Sequence, residues 1–277
     1  MESVKQTLIK AGSTFPDDKK RAYRRAIEEE KNERARWILS TILENGTVAE
    51  QNKSPLCDDT GIPHVLIDVG DDLILTADFL DAVSEGIVEG LRALPGRPMA
   101  VLGDDMQRLA QSEGMDPDSG ALAPAPFMFR KSPDGKSRIY VLMFGGGPAI
   151  RAKTYRVFHK HDSQTVIDEI VEWSREAVSL LGCTPCTLAV GIGRSHYEAA
   201  SMMLQAQIDG SYDCQSEVEA QITRRVNETD VGPLGLHGDT SVLATFLKVG
   251  PQRASGVRIV CVRPCCCFEP RVASVLL

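Results

Sequence analysis

The residues of this 277-residue chain that could do chemistry are its eight cysteines and the acids beside the first of them. Cys57 lies in Lys53-Ser-Pro-Leu-Cys-Asp-Asp-Thr-Gly61, bounded by a proline and a glycine, just before the apolar run Val65-Leu-Ile-Asp-Val69. Such a loop can bring a soft thiolate and the proton-handling carboxylates of Asp58 and Asp59 to one point. The same residue types also build a plain turn with capping side chains. Cys183 and Cys186 follow in Cys-Thr-Pro-Cys, and Cys265, Cys266 and Cys267 form a run after Pro264. Cys261 alternates with Val260 and Val262 and reads as core, while Cys214 reads as a surface or half-buried thiol.

Eight cysteines are many for a chain whose N-terminus, Met-Glu-Ser-Val-Lys, is polar and is followed by no apolar signal region. No apolar run approaches the roughly 20 residues that cross a bilayer, so a cytoplasmic protein without a membrane partner is expected. Disulfides are disfavoured in that compartment, which leaves buried thiols or metal ligands. Cys57, the Cys183/Cys186 pair and the Cys265–Cys267 run each lie in a Pro-containing loop at the end of an expected regular element. Structural zinc commonly takes four ligands from two CxxC pairs, and only one pair is present. Three loops giving one thiolate each suit a four-iron cubane with an open iron. Buried thiols, zinc and a redox CxxC stay open on spacing alone. The net charge of −7, without a long block of one sign, argues against a nucleic-acid or membrane-surface partner.

The elements that must position these residues read as α/β. A long helix is expected from Asp17 to Leu43, opened by Pro16-Asp17-Asp18 and closed by Asn45-Gly46. A strand from His64 to Val69 and a helix from about Asp78 to Leu94 follow. Residues 95–137 lack clear periodicity, a length more often functional than idle. The strand Arg138–Phe144 runs into Gly145-Gly146-Gly147, where backbone N–H groups can close on an anion or make a turn. A helix capped at Asp162-Ser163 runs to Leu181, then come a strand Thr187–Ile192, helices Ser195–Gln207 and Gln215–Val226, and two β-branched runs, Thr240–Val249 and Gly256–Arg263. With no repeat and no clear linker, one α/β domain over 1–277 is expected, with a helical segment over 1–50.

Pro55-Leu-Cys-Asp-Asp-Thr-Gly61 resembles the Pro-x-Cys-Gln-Asp-Thr-Gly signature of the oxygen-sensitive iron–sulfur hydro-lyases of the class I fumarase and L(+)-tartrate dehydratase family. Gly182-Cys-Thr-Pro with Val190-Gly-Ile-Gly193 resembles that family's Cys-Pro-Pro loop and Gly-Ile-Gly turn. Gly235-Leu-His-Gly-Asp-Thr240 is similar to its Gly-Leu-Gly-Gly-Lys-Thr, and the C-terminal run resembles the strand that delivers its last cysteine. The likeness spans residues 50 to 270, the family's α subunit or N-terminal domain, and implies a mixed sheet flanked by helices with a cluster-binding core over 51–277.

The resemblance implies a [4Fe-4S] cluster held by Cys57, Cys183 and Cys265, with Cys266 as the alternative to Cys265. It implies a small hydroxy-di/carboxylic acid bound at the open iron, Asp59 as the acid that protonates the departing oxygen, and Arg97 as a bidentate grip on a substrate carboxylate. Asp58, Gly146, Gly147 and Arg194 fall on the substrate side. Five positions depart from the pattern: Asp58 stands for glutamine, Pro148-Ala149 for Ser-Glu or Ser-Asp, Arg194 for a glycine, and Arg253 for a histidine. These suggest a related substrate other than fumarate or tartrate, or a zinc- or cluster-stabilised scaffold that has lost catalysis. The chain stops at Leu277, where the family's second domain would begin. A separate β subunit in an α2β2 heteromer, an α dimer, or a longer polypeptide is the matching expectation.

Overall fold

A computed structural model describes all 277 residues. In chain order it has helices α1 (Glu2–Ser13), α2 (Asp17–Glu29) and α3 (Glu33–Asn52), strand β1 (Ile62–Val69), helices α4 (Ala77–Ala93) and α5 (Asp105–Ala110), and strands β2 (Met128–Lys131) and β3 (Arg138–Phe144). The short turn α6 (Gly146–Ala149) leads to β4 (Lys153–Phe158), α7 (Ser163–Ser179), β5 (Cys186–Gly193), α8 (His196–Asp209) and α9 (Glu217–Asn227). Strands β6 (Val242–Val249), β7 (Val257–Cys265) and β8 (Arg271–Leu276) close the chain. The expected α/β class is what the chain adopts, with its strands divided between two mixed sheets in two compact units.

The first unit comprises residues 1–14, 46–146 and 271–277. Its sheet has the order β2-β1-β3-β8, with β1 parallel to β2 and the other pairs antiparallel. Val65, Ile67, Ile139, Val141 and Met143 turn to a core closed by α1 and α4 through Val4, Leu8, Val83, Ile87 and Leu91. The helices meet closely because α4 carries glycines there: a Cβ on Gly86 would lie 2.7 Å from Val4 Cβ, and one on Gly90 2.9 Å from Leu8 Cβ. Each fully buried Leu or Ile contributes about 1.5–3 kcal/mol of transfer free energy. α4 is capped by the Thr76 side chain, which accepts from Phe79 N.

The second unit comprises residues 15–45 and 147–270. Its sheet order is β4-β7-β5-β6, with only β5 and β6 parallel. All eight residues of β5 are buried, and Leu188, Val190, Val260 and Val262 join Ile170, Val171 and Val178 of α7 in the core. Gly191 and Gly193 of the Gly-Ile-Gly motif are packing residues: a Cβ on Gly191 would lie 2.1 Å from Ala199 O, so only glycine lets α8 approach the strand.

The single helix expected over 17–43 is two. Glu30 leaves the helical region, its carboxylate accepts from Asn32 N, and the Asn32 side chain accepts from Arg34 N and Ala35 N to start α3. Nor does α3 stop at Gly46; it runs to Asn52. Helix α1 and strands β4 and β8 went unrecognised in the sequence, and 95–137 contains α5 and β2. The N-terminal helical segment is shared, residues 1–14 belonging to the first unit and 15–45 to the second.

Candidate functional site

In the first unit the cysteine loop is pinned from both ends. Ser54 N donates to Ala49 O and Leu56 N to Gly12 O, and Leu56 is 2% exposed. Thr60 is buried and its hydroxyl donates to Arg97 O at 2.7 Å, tying the loop to the Pro-Gly-Arg-Pro turn. Gly61 has φ +83°, and a Cβ there would meet Arg271 Nη2 at 2.5 Å and the Phe144 carbonyl at 2.8 Å. The motif glycine is therefore dictated both by backbone conformation and by space.

Between these anchors Cys57 is half-buried, its thiol directed at Asp58 Oδ1 at 3.7 Å. Asp58 is exposed and pairs with the Arg97 guanidinium at 3.5 Å. Asp59 turns the other way. Its Oδ2 accepts from Gly146 N at 2.7 Å, its main-chain carbonyl accepts from Arg271 Nη1 at 2.7 Å, and its Oδ1 is buried with no hydrogen-bond partner. A buried carboxylate oxygen left without a donor costs about 1–3 kcal/mol, a penalty tolerated where a ligand or a proton is to be met. Of the triple glycine, then, Gly146 holds the acid.

In the second unit the remaining thiols gather. Cys183 is exposed and Cys186 buried at the start of β5, while Cys265, Cys266 and Cys267 are buried at and beyond the end of β7. Cys267 N donates to Cys183 O at 2.8 Å, which holds the two cysteine loops together. Thr184 accepts from Gly235 N through its hydroxyl and from Leu234 N through its carbonyl, fastening the first loop to the Gly-Leu-His-Gly-Asp-Thr segment. That segment is held by the buried carboxylate of Glu30, which accepts from Asp239 N and Thr240 N at 3.1 Å each.

Two buried cations accompany these sulfurs. Arg263 donates to Cys265 Sγ at 3.3 Å and pairs with Glu269 at 2.8 Å, and the Cys265 thiol is also 3.4 Å from Gln207 Oε1. Burial pushes the Cys265 thiol up to about 12, against the pull of Arg263. Lys19 has no exposed surface, and its Nζ donates to Glu269 O at 2.7 Å beneath the Phe15 ring. Burial lowers Lys19 to about 8, opposed by the thiols of Cys266, Cys267 and Cys265. The Tyr23 hydroxyl donates to Cys267 O. No three His, Cys, Asp or Glu side chains stand as a ready-made metal cage.

Of the other expected site residues, Arg194 forks onto Glu198 with bonds of 2.6 to 3.1 Å, and its own amide donates to the same carboxylate. Gly147 has open space where a Cβ would stand. Sequence reasoning missed Lys19, Glu30, Arg263, Glu269 and Arg271. A signal existed for Lys19, which falls in register with Ala22, Tyr23 and Ala26 on the buried face of α2.

The chain is thus an α/β protein with a pinned Cys-Asp-Asp loop in one unit and thiol-bearing loops in the other. It belongs to the fumarate hydratase (Fumerase) family, whose pattern it matches over residues 1–275. A Methanocaldococcus jannaschii protein provisionally named L(+)-tartrate dehydratase subunit alpha is 23% identical over 98% of this chain and 94% of its own length. The L(+)-tartrate dehydratase subunit alpha of Escherichia coli strain UTI89 is 23% identical over 93% of this chain and 84% of its own. A Geobacillus stearothermophilus protein provisionally named fumarate hydratase class I is 24% identical, and this chain spans about half of it, 49%. The family is one of hydro-lyases, and no helix here is long and apolar enough to cross a membrane.

Proposed function

We propose that this chain is the α subunit of a [4Fe-4S]-dependent hydro-lyase acting on a small hydroxy-di/carboxylic acid, completed by a β subunit. The observation that carries the reading is Asp59: one carboxylate oxygen is fixed by Gly146 N–H and the other is buried without a donor, two residues after Cys57. A group held this way can keep a proton aimed at a departing oxygen. Family membership and the α-subunit names of two relatives support the hydro-lyase class and the β partner.

The donor set suits the cofactor. Thiols are the ligands iron–sulfur clusters take, and the run Cys265–Cys267 sits in dry surroundings with two cations able to offset anionic sulfur. Cys183 is held to that run by a main-chain bond, and the family resemblance adds Cys57. Binding would release the thiol protons. Cys265 Sγ is already engaged by Arg263 and Gln207, which keeps Cys266 in play as the third ligand. Bound there, the cluster's open iron would supply Lewis acidity to the C–O bond. Arg97 would grip a carboxylate, Gly146 would orient Asp59, and Asp59 would hold the proton for the leaving oxygen. Asp58, Gly147 and Arg194 complete the proposed substrate side.

A second reading, a zinc- or cluster-stabilised scaffold subunit, has one observation in its favour. The cations assigned to substrate already have carboxylate partners, Arg97 with Asp58 and Arg194 with Glu198. Anaerobic purification with iron, sulfide and zinc analysis separates the readings. Stoichiometric iron and sulfide, with dehydration of at least one hydroxy acid once the β-type subunit is added, is the expected result. A colourless zinc protein, or a cluster protein inert on a full panel of hydroxy acids, would favour the scaffold.

A further inference from the structure

Lys19 and Arg263 are 0% and 1% exposed, and burying a cation is costly unless an anion or several acceptors meet it. Around these two the carboxylate is Glu269, itself 1% exposed, whose side chain takes Arg263 and whose main-chain carbonyl takes Lys19. Two positive charges against one negative leave a local excess of one positive charge around Glu269. That excess lies beside the cysteine run: Arg263 donates to Cys265 Sγ, Lys19 donates to the carbonyl of Glu269, whose amide donates to Cys266 O, and Tyr23, one turn further along α2, donates to Cys267 O. With neutral thiols this arrangement has little to recommend it. With anionic sulfur it is a matched, charge-assisted contact.

We propose that Lys19 is a positioning residue of the cluster site, whose buried positive charge stabilises the more reduced, more negative state of the cluster to which the Cys265–Cys267 run contributes one ligand. The inference rests on the cluster reading above and goes beyond it by assigning a role to a residue of α2 that lies outside every motif. A fixed positive charge beside the cluster opposes removal of an electron, so Lys19 also slows the oxidative damage that an open iron invites. Glu269 works in the opposite sense, partly offsetting both cations.

The test is a mediator-poised reductive titration of the full chain, reconstituted anaerobically with iron and sulfide, followed by its visible absorption. Lys19→Gln keeps a donor for Glu269 O and removes the charge. Its reduced-to-oxidised ratio at a fixed potential should fall about tenfold, equivalent to ~59 mV for a one-electron couple, and its absorption should bleach faster in air. Lys19→Arg should stay near the parent. Glu269→Gln, which leaves Lys19 untouched, should shift the ratio the other way, a reversal of sign that loss of packing does not produce. Lys19→Gln and Glu269→Gln both loaded with iron and both within twofold of the parent would overturn the inference alone. A parent that takes up no iron and sulfide would overturn the cluster reading, and this inference with it.

Discussion

Arg97 and Asp58 stand 3.5 Å apart on the surface of the first unit, so the guanidinium proposed to grip substrate is already matched by the acid that replaces the family's glutamine. On the proposed reading, a substrate carboxylate would have to displace Asp58 to reach Arg97. Asp58→Gln should therefore lower KM for the working substrate several-fold with kcat little changed, and Arg97→Ala should raise KM. Steady-state kinetics with the β-type subunit present measure both. A KM unmoved by either change would remove Arg97 from the site.

Asp59→Asn keeps an acceptor for Gly146 N and removes the acid. Turnover should fall by about 10²–10⁴-fold while the visible absorption of the cluster is retained. Asp59→Ala should in addition destabilise the loop by about 0.5–1.5 kcal/mol, the usual net worth of a hydrogen bond. Denaturant titration beside the kinetic assay separates the two effects.

The cysteines divide by role. Cys57→Ser should abolish the visible absorption, whereas Cys186→Ser, at a fully buried position in β5, should leave it intact and lower only the melting temperature. Comparing Cys265→Ser with Cys266→Ser identifies the third ligand, the one whose loss bleaches the protein. Bleaching by Cys186→Ser would reassign the ligand set.

Gly61→Ala should be severe, because φ is +83° and the new methyl meets Arg271 Nη2 at 2.5 Å and the Phe144 carbonyl at 2.8 Å. Gly114→Ala provides the control. Its φ is +77° with nothing within 4 Å, so it should cost only the left-handed strain of about 1–2 kcal/mol. Equal losses in the two variants would remove the steric argument for Gly61.

Acid should weaken the junction between α4 and the segment after α5. Arg92 beside Asp118, helped by Gly120 N–H, holds the Asp118 carboxyl at about 2, below its ordinary 3.8. A carboxyl lowered on folding stabilises the fold above its unfolded value, and that contribution is lost as pH falls through 3.8 towards 2. The pair is exposed, so the effect is small and screened by salt. Asp118→Asn should lower the melting temperature by a constant amount at neutral pH, and the gap to the parent should close below about pH 4. A gap independent of pH would refute the assignment.

The sequence by itself determined what is local. Strand β3 has the expected limits, α4, α7, α8 and α9 start within a residue or two of their expected caps, and the Cys57 loop announces its chemistry in seven consecutive residues. Periodicity and capping act over one or two turns, so they can be read along the chain. What the tertiary structure decided joins distant residues. Asp59 meets Gly146 across 87 positions and Arg271 across 212, and Lys19 meets Glu269 across 250. The break at Glu30 belongs to the same class, since its carboxylate is held by amides 209 and 210 residues away. No local pattern encodes such pairs. A lysine in a charged helix looks solvated until folding buries it between the Glu269 carbonyl and the Phe15 ring.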